Sequence, residues 1–278
     1  MLLASNHMFP TGSIECVLDR LAAAGAGALD LFLPHVPYLA DNPRFSGKNL
    51  ELCRIAAEAA GLPIQSIIGT TAPGGKGFGA YQADDEKQGR ADAVAFIKHN
   101  VEVCKVLGAQ HISTAEGRLP DGADEKVIWN RLVAALKESA PILEDAGVML
   151  GIELHPGLIA STPEKAPKLV EDVGSKAVRI CLDFCHANVI TEGDPVGMIH
   201  ALKGTIGSIH IADGIQVGGL HLPIGQGEID VDACLNAVKE DGFDGLWVLC
   251  MYGCAFPELT LKTAVKFLGE KHPDILAE

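Results

Sequence analysis

The sequence predicts an α/β fold and, within that class, a single closed (β/α)8 barrel over residues 1–278. Three observations carry the prediction. Eight short apolar runs alternate with longer amphipathic ones from end to end, which is the pattern of repeated strand–helix units. Eight units in 278 residues average about 35 residues each, in keeping with the ~250-residue size of such barrels. No Gly-rich dinucleotide or phosphate-loop fingerprint follows any apolar run, which disfavours an open, doubly wound sheet.

In chain order, the first strand is read at residues 2–6 and the first helical pattern at 13–24, closed by Gly25. The second pair is 28–33 and 50–60, closed by Gly61. The third strand, 63–68, leads through an irregular stretch, 69–84, to a helix at 85–107 ended by Gly108. That stretch carries five glycines and reads as a surface loop or as a lid that brings Lys76 and Tyr81 to a substrate. The fourth unit pairs a strand at 110–114 with a helix at 124–145, followed by Gly147. Strands at 149–154, 179–183, 206–211 and 246–250 alternate with helices at 163–173, 195–203, 231–239 and 259–268. Gly204 and Gly242 close two of these helices. Glycine suits such positions because a left-handed residue ends a helix without a Cβ clash.

Composition narrows the function classes. Lys and Arg number 22 against 36 Asp and Glu, a formal net charge of −14. Such a balance repels phosphate backbones and anionic lipid, which argues against nucleic-acid or membrane partners. Apolar residues make up 48% and aromatic ones only 5%, so small aliphatic side chains are available for tight helix-on-sheet packing. The eight cysteines, at 16, 53, 104, 181, 185, 234, 250 and 254, are scattered. With no signal-peptide pattern and no run of membrane-spanning length, they read as free thiols of a cytoplasmic protein.

Active groups of a barrel sit where its strands stop. The fifth apolar run ends Glu153-Leu154-His155, the sixth ends Asp183-Phe184-Cys185-His186, and the seventh ends His210-Ile211-Ala212-Asp213. Residues two apart on a strand share a face, so Glu153 and His155 point the same way. Two carboxylates and an imidazole from three consecutive strands make a mixed oxygen and nitrogen site, Glu153, Asp183 and His210. It suits Mn²⁺ foremost, or Co²⁺, Mg²⁺ or Zn²⁺, acting as a Lewis acid. After the seventh strand, in 221–230, His221 is expected to face the pocket, Gly225 and Gly227 to allow a turn, and Asp230 to cap the next helix. His7, at the end of the first strand, and Asp213 are expected to join His155, His186 and His221 as substrate contacts, with Asn6 and His35 as weaker candidates. His111 is given a structural place in the barrel interior or at its N-terminal face, and Glu116 that of a solvated loop acid in preference to a substrate contact.

Together, Glu153-Leu-His155, Asp183-Phe-Cys-His186, His210-Ile-Ala-Asp213 and Pro223-Ile-Gly-Gln-Gly-Glu-Ile-Asp230 resemble the xylose isomerase-like TIM barrel superfamily. It includes sugar epimerases of the tagatose 3-epimerase type, hydroxypyruvate isomerase, inosose dehydratase and, more distantly, type IV apurinic endonucleases. The resemblance spans nearly the whole chain and is strongest from about Val148 onward. It implies that Glu153, Asp183 and His210 bind a divalent metal, that His186 contacts a substrate oxygen, and that the protein forms a homodimer or homotetramer. The implied activity is isomerisation or epimerisation of a keto-sugar through a metal-stabilised enediolate, with Glu153 as base. The alternative is β-elimination by a lyase or dehydratase on a keto-sugar or keto-inositol.

One position departs from the family pattern. A glutamate is expected at the end of the eighth strand, where this chain has Cys250, and the next acid is Glu258. Three roles stay open for Cys250: a second acid/base or thiolate ligand, a bystander to one-carboxylate chemistry at Glu153, or an inert residue in a sugar-binding barrel that has lost catalysis.

Overall fold

The computed structural model describes residues 2–9, 13–33, 47–71, 75–217 and 220–276. His35 lies outside them, as do residues 72–74 of the glycine-rich stretch. Eight parallel strands close into a barrel in sequence order: β1 Leu2–Ser5, β2 Ala28–Phe32, β3 Ile64–Ile68, β4 His111–Thr114, β5 Met149–Glu153, β6 Val178–Asp183, β7 Ile206–Ile211 and β8 Leu246–Leu249. β8 returns to β1 through the pairs Leu2 with Trp247 and Ala4 with Leu249. The helices are α1 Ile14–Ala23, α2 Gly47–Ala59, α3 Glu86–Leu107, α4 Glu125–Ala146, α5 Lys165–Val173, α6 Phe184–Ile190, α7 Pro195–Ala201, α8 Val231–Glu240, α9 Pro257–Lys271 and α10 Pro273–Leu276. Short 3-10 turns occupy Asn6–Met8 and Phe78–Gln82.

Each strand lies where the apolar alternation puts it. Local chemistry sets the helix ends. Asp85, Asp124, Asp194 and Asp230 each accept a backbone N–H from the first turn of the helix they precede. Gly108 and Gly147 close α3 and α4 at φ +79° and +65°. Two helices depart from expectation, the short α10 and α6; α6 begins directly after β6, because Asp183 ends the strand and caps the helix by accepting from the backbone N–H groups of Cys185 and His186.

Strand alternation divides the interior in two. Outward residues such as Ala4, Leu29, Leu31, Ile67, Ile112, Ile152, Leu182 and Ile211 pack under the helices in one continuous apolar cluster. Inside the barrel a separate plug of Leu3, Ala28 and Val248, with Leu246 against it, fills the lower lumen. Two residues beyond Leu3 and Ala28 the lumen turns polar with Ser5 and Asp30, joined by Ser66, His111, Cys181 and Ser208 from β3, β4, β6 and β7, all buried. Above that layer the strands end in Glu153, Asp183 and His210.

Candidate active site

The carboxylate of Glu153, the last residue of β5, lies between two imidazoles. Its Oε1 is 2.8 Å from Nδ1 of His210, and its Oε2 is 3.0 Å from Nε2 of His155. Neither contact is aligned as a hydrogen bond, so both ring nitrogens are buried without a hydrogen-bond partner, as is Nδ1 of His186. Asp183 Oδ2 approaches the same His210 nitrogen to 3.9 Å and bonds His221 Nε2 at 2.9 Å, while its Oδ1 holds the start of α6. The outer nitrogen of His210 meets the sulfur of Cys181 at 3.5 Å.

The three residues read from strand ends thus meet at His210, with Glu153 closest. Potential ligand atoms within 4.8 Å of one another form three groups among the described residues: Glu153, His155 and His186; Glu153, Cys181 and His210; and Asp183, Cys185 and His221. The first two share Glu153, whereas Asp183 falls in the third, so Glu153, Asp183 and His210 are linked through His210 and do not form one such group. Two ligands about 2.1 Å from one ion, at neighbouring octahedral corners, stand about 3 Å apart. The Glu153 contacts have that spacing, and a carboxylate flanked by two imidazoles fits a donor set for a divalent cation that displaces their protons.

Electrostatics agree with that use. Burial alone would raise Glu153, but the His210 and His155 rings hold its carboxyl well below the usual range. Asp183 is likewise lowered against its burial by His221 and His186. His210 is raised despite its burial by Cys181 and Glu153, whereas burial lowers His186. Carboxylates of this kind stay ionised in the folded state, as a cation requires.

The expected substrate contacts divide into two sets. His7, His155, His186 and His221 belong to one arc of rings around the barrel mouth. His7 lies 4.2 Å from Phe32 and stacks on Tyr252 at 4.3 Å; Tyr252 stacks on His221 at 4.2 Å, and His221 meets His186 edge-on at 5.0 Å. His186 contacts His155 at 4.1 Å. Tyr252 escaped the sequence reading, because its partners come from distant loops. Asp213 instead organises a loop. Its two oxygens accept the backbone N–H groups of Gly214, Gly225, Gly227 and Ile229, and Asp213 pairs antiparallel with Leu222. Gly227 belongs in that cradle, since a Cβ there would lie 2.3 Å from an Asp213 oxygen.

Other candidates move. Glu116 is not solvated: it is fully buried, accepts from the Ala160 N–H at 2.8 Å, and leaves Oε2 without a partner. Burial pushes its carboxyl up to about 7. Asn6 joins β1 to β2, donating to and accepting from the Phe32 backbone. Lys76 pairs with Asp92, Tyr81 is buried, and Glu258 pairs with Arg20 far from the acids. Cys185 lies on α6, where its thiol donates to the Asp213 carbonyl. Cys250 is buried directly after β8, belongs to none of the three ligand groups, and has its thiol pushed well up by burial.

A parallel eight-stranded barrel with acids and imidazoles gathered at the carboxyl ends of its strands has the layout of a barrel enzyme. Residues 18–271 match the xylose isomerase-like TIM barrel family, and the chain belongs to that family. It is 27% identical to inosose isomerase of Bacillus subtilis over 217 residues, covering 70% of this chain and 72% of that one. It is 24% identical to putative hydroxypyruvate isomerase of Homo sapiens, covering 84% and 82%. An uncharacterised protein of Methanocaldococcus jannaschii is 30% identical over 167 residues, and that match spans about half of each chain, 55% and 54%. Among solved folds, a D-tagatose 3-epimerase-like protein superposes with TM-score 0.79 at 22% identity over 99% of both chains. The IOLI protein, solved with a binding zinc atom, does so with TM-score 0.75 at 23% identity over 100% of this chain and 99% of that one. The two curated relatives named here for an activity are both isomerases.

Proposed function

We propose that the protein is a divalent-metal-dependent isomerase or epimerase of a small keto-sugar or related hydroxy-ketone. The observation that carries this reading is the convergence of Glu153, Asp183 and His210, with ring nitrogens of His210, His155 and His186 left without aligned partners. Glu153, Asp183 and His210 would hold the ion. A cation there supplies Lewis-acid polarisation of a carbonyl and its neighbouring hydroxyl.

The side chains do the rest. Glu153, ionised and at the end of β5, takes the proton from the carbon beside the carbonyl, giving an enediolate. His186, which burial keeps neutral, is placed by the first turn of α6 to exchange a proton with a substrate oxygen. The ring arc from His7 through Tyr252 to His155 walls the mouth and presents flat faces to the carbon backbone of a sugar. Asp213 fixes the loop that delivers His221, and His221 in turn fixes Asp183.

The second reading is β-elimination by a lyase or dehydratase, and Cys250 favours it over two-base epimerisation. A buried, protonated thiol at the end of β8 offers no carboxylate base opposite Glu153, and a one-base reaction such as aldose–ketose isomerisation or elimination needs none. Incubation of keto-sugars with the Mn²⁺-, Co²⁺- or Zn²⁺-loaded protein in deuterated water separates the outcomes. An isomerase or epimerase incorporates deuterium into a product of otherwise unchanged composition, whereas a lyase releases water or an alcohol. Protein that takes up no metal, with neither product formed, overturns both readings.

A further inference from the structure

Asp30 lies in the middle of β2 with no exposed surface; neither carboxylate oxygen has an aligned hydrogen-bond partner, and the groups that ease its charge from beside it are the neutral hydroxyls of Ser66 and Ser5. Barrel interiors are ordinarily filled at this level by branched aliphatic side chains, and the plug one layer below, Leu3, Ala28 and Val248, follows that habit. A lone buried carboxylate is among the most destabilising groups a fold can retain. Retention without a counter-charge in contact therefore calls for a role elsewhere.

Its surroundings point upward to the metal ligands. Asp30 pairs in register with Ser5 on β1 and Ser66 on β3. Ser66 Oγ lies 2.9 Å from Nδ1 of His111. His111 Nε2 is unpartnered and turned toward β5, where Gly151 lacks a side chain; a Cβ there would sit 2.9 Å from that nitrogen and 3.1 Å from Cβ of Cys181. Cys181 in turn meets the outer nitrogen of His210. A polar lane thus crosses the lumen from Asp30 to the far edge of a metal-ligating imidazole. Ligating histidines ordinarily present that edge to a carboxylate or carbonyl, which orients the ring and strengthens it as a ligand. Here a thiol occupies the edge, and Asp30 is the carboxylate of the same polar layer.

We propose that Asp30 is a positioning residue for the metal centre: a carboxyl group held in the barrel lumen without a counter-charge in contact, which orients His210 from below and raises the affinity of the site for a divalent cation. The inference rests on the metal reading of Glu153, Asp183 and His210. Burial raises the Asp30 carboxyl, while positive charge at His210 and the Ser66 and Ser5 hydroxyls lower it, so a cation above it favours the charged form. Fold stability is sacrificed for affinity at the site, a trade that functional positions commonly make.

The two quantities then move in opposite directions on substitution. Asp30→Asn, nearly isosteric and uncharged, is expected to raise the Tm of the metal-free protein by a few degrees. The same variant is expected to weaken Co²⁺ binding, followed by the visible absorption of the bound ion, by roughly 10- to 100-fold. Asp30→Ala provides a second uncharged variant should the amide misfold the lumen. Ser208→Ala, in the same polar layer, is expected to leave Co²⁺ affinity unchanged. Equal affinity in wild type and Asp30→Asn, with Co²⁺ bound by both, overturns the role of Asp30 alone. Parallel losses of Tm and affinity in Asp30→Asn, matched by Ser208→Ala, reduce Asp30 to a packing residue. Wild-type protein that takes up no Co²⁺ overturns the metal reading and this role with it.

Discussion

Cys250 donates its backbone N–H to the Ile211 carbonyl at 3.1 Å, which fixes it just above the end of β8. Its thiol is buried, is kept protonated by that burial, and lies outside the ligand groups. Cys250→Ala is therefore expected to leave metal stoichiometry intact and to change metal affinity less than about threefold, below the 10- to 100-fold typical of groups that support a metal ligand. Metal analysis after dialysis checks it, and loss of the ion would restore the thiol as a ligand. Glu116 bears on stability instead. Its folded carboxyl is raised from 4.5 to about 7 by burial, so the folded state holds a proton that the unfolded chain releases. This group's contribution is full below pH 4.5, is lost as pH rises toward 7, and amounts to about 3 kcal/mol at most. Glu116→Gln is expected to remove that slope and to gain on wild type as pH rises from 5 to 8, as read from urea midpoints. A constant difference between the two across that range would show that the carboxyl titrates normally.

At the scale of elements, the loop between β7 and α8 is held by one carboxylate. Asp213 collects four backbone N–H groups, so Asp213→Ala leaves several buried donors unsatisfied at about 1–3 kcal/mol each. The expected result is a destabilised protein with new proteolytic cleavage within residues 214–229 and, because His221 enters with this loop, weaker metal binding. Unchanged proteolysis would show that the loop is held by its other contacts. The same region shows where sequence reading stops. His210 and Asp213 were legible as strand-end polar residues, but their spacing does not say that one faces the lumen and the other turns back to its own loop. Asp183-Phe-Cys-His186 reads equally well as more strand, and only the cap geometry shows that His186 reaches the pocket from α6. Asp30 lay inside an apolar run, ALDLF, where periodicity marks a strand and is silent about what a buried acid faces.

For the whole molecule, strand count and order were legible because each unit repeats a local pattern, and eight such units have few ways to close. The ring arc was not legible, since His7 and Tyr252 become neighbours only when β8 returns to β1. Closure also ties the site to global stability. The proposed ligands come from β5, β6 and β7 and converge only in the folded barrel, so a cation bound there stabilises the native state by mass action. With free metal at 100 times its Kd the gain is about 2.7 kcal/mol, or about 5 °C in Tm for a chain of this size. A chelator is expected to lower the Tm of purified, metal-loaded protein by that amount and added Mn²⁺, Co²⁺ or Zn²⁺ to restore it. Asp183→Asn, which leaves the α6 cap an oxygen but removes the charge, is expected to abolish the response while the barrel still melts cooperatively. A Tm indifferent to chelator and metal in the wild type would mean that the acids and imidazoles at the barrel mouth bind no ion tightly, and the enediolate chemistry proposed for Glu153 would then lack its Lewis acid.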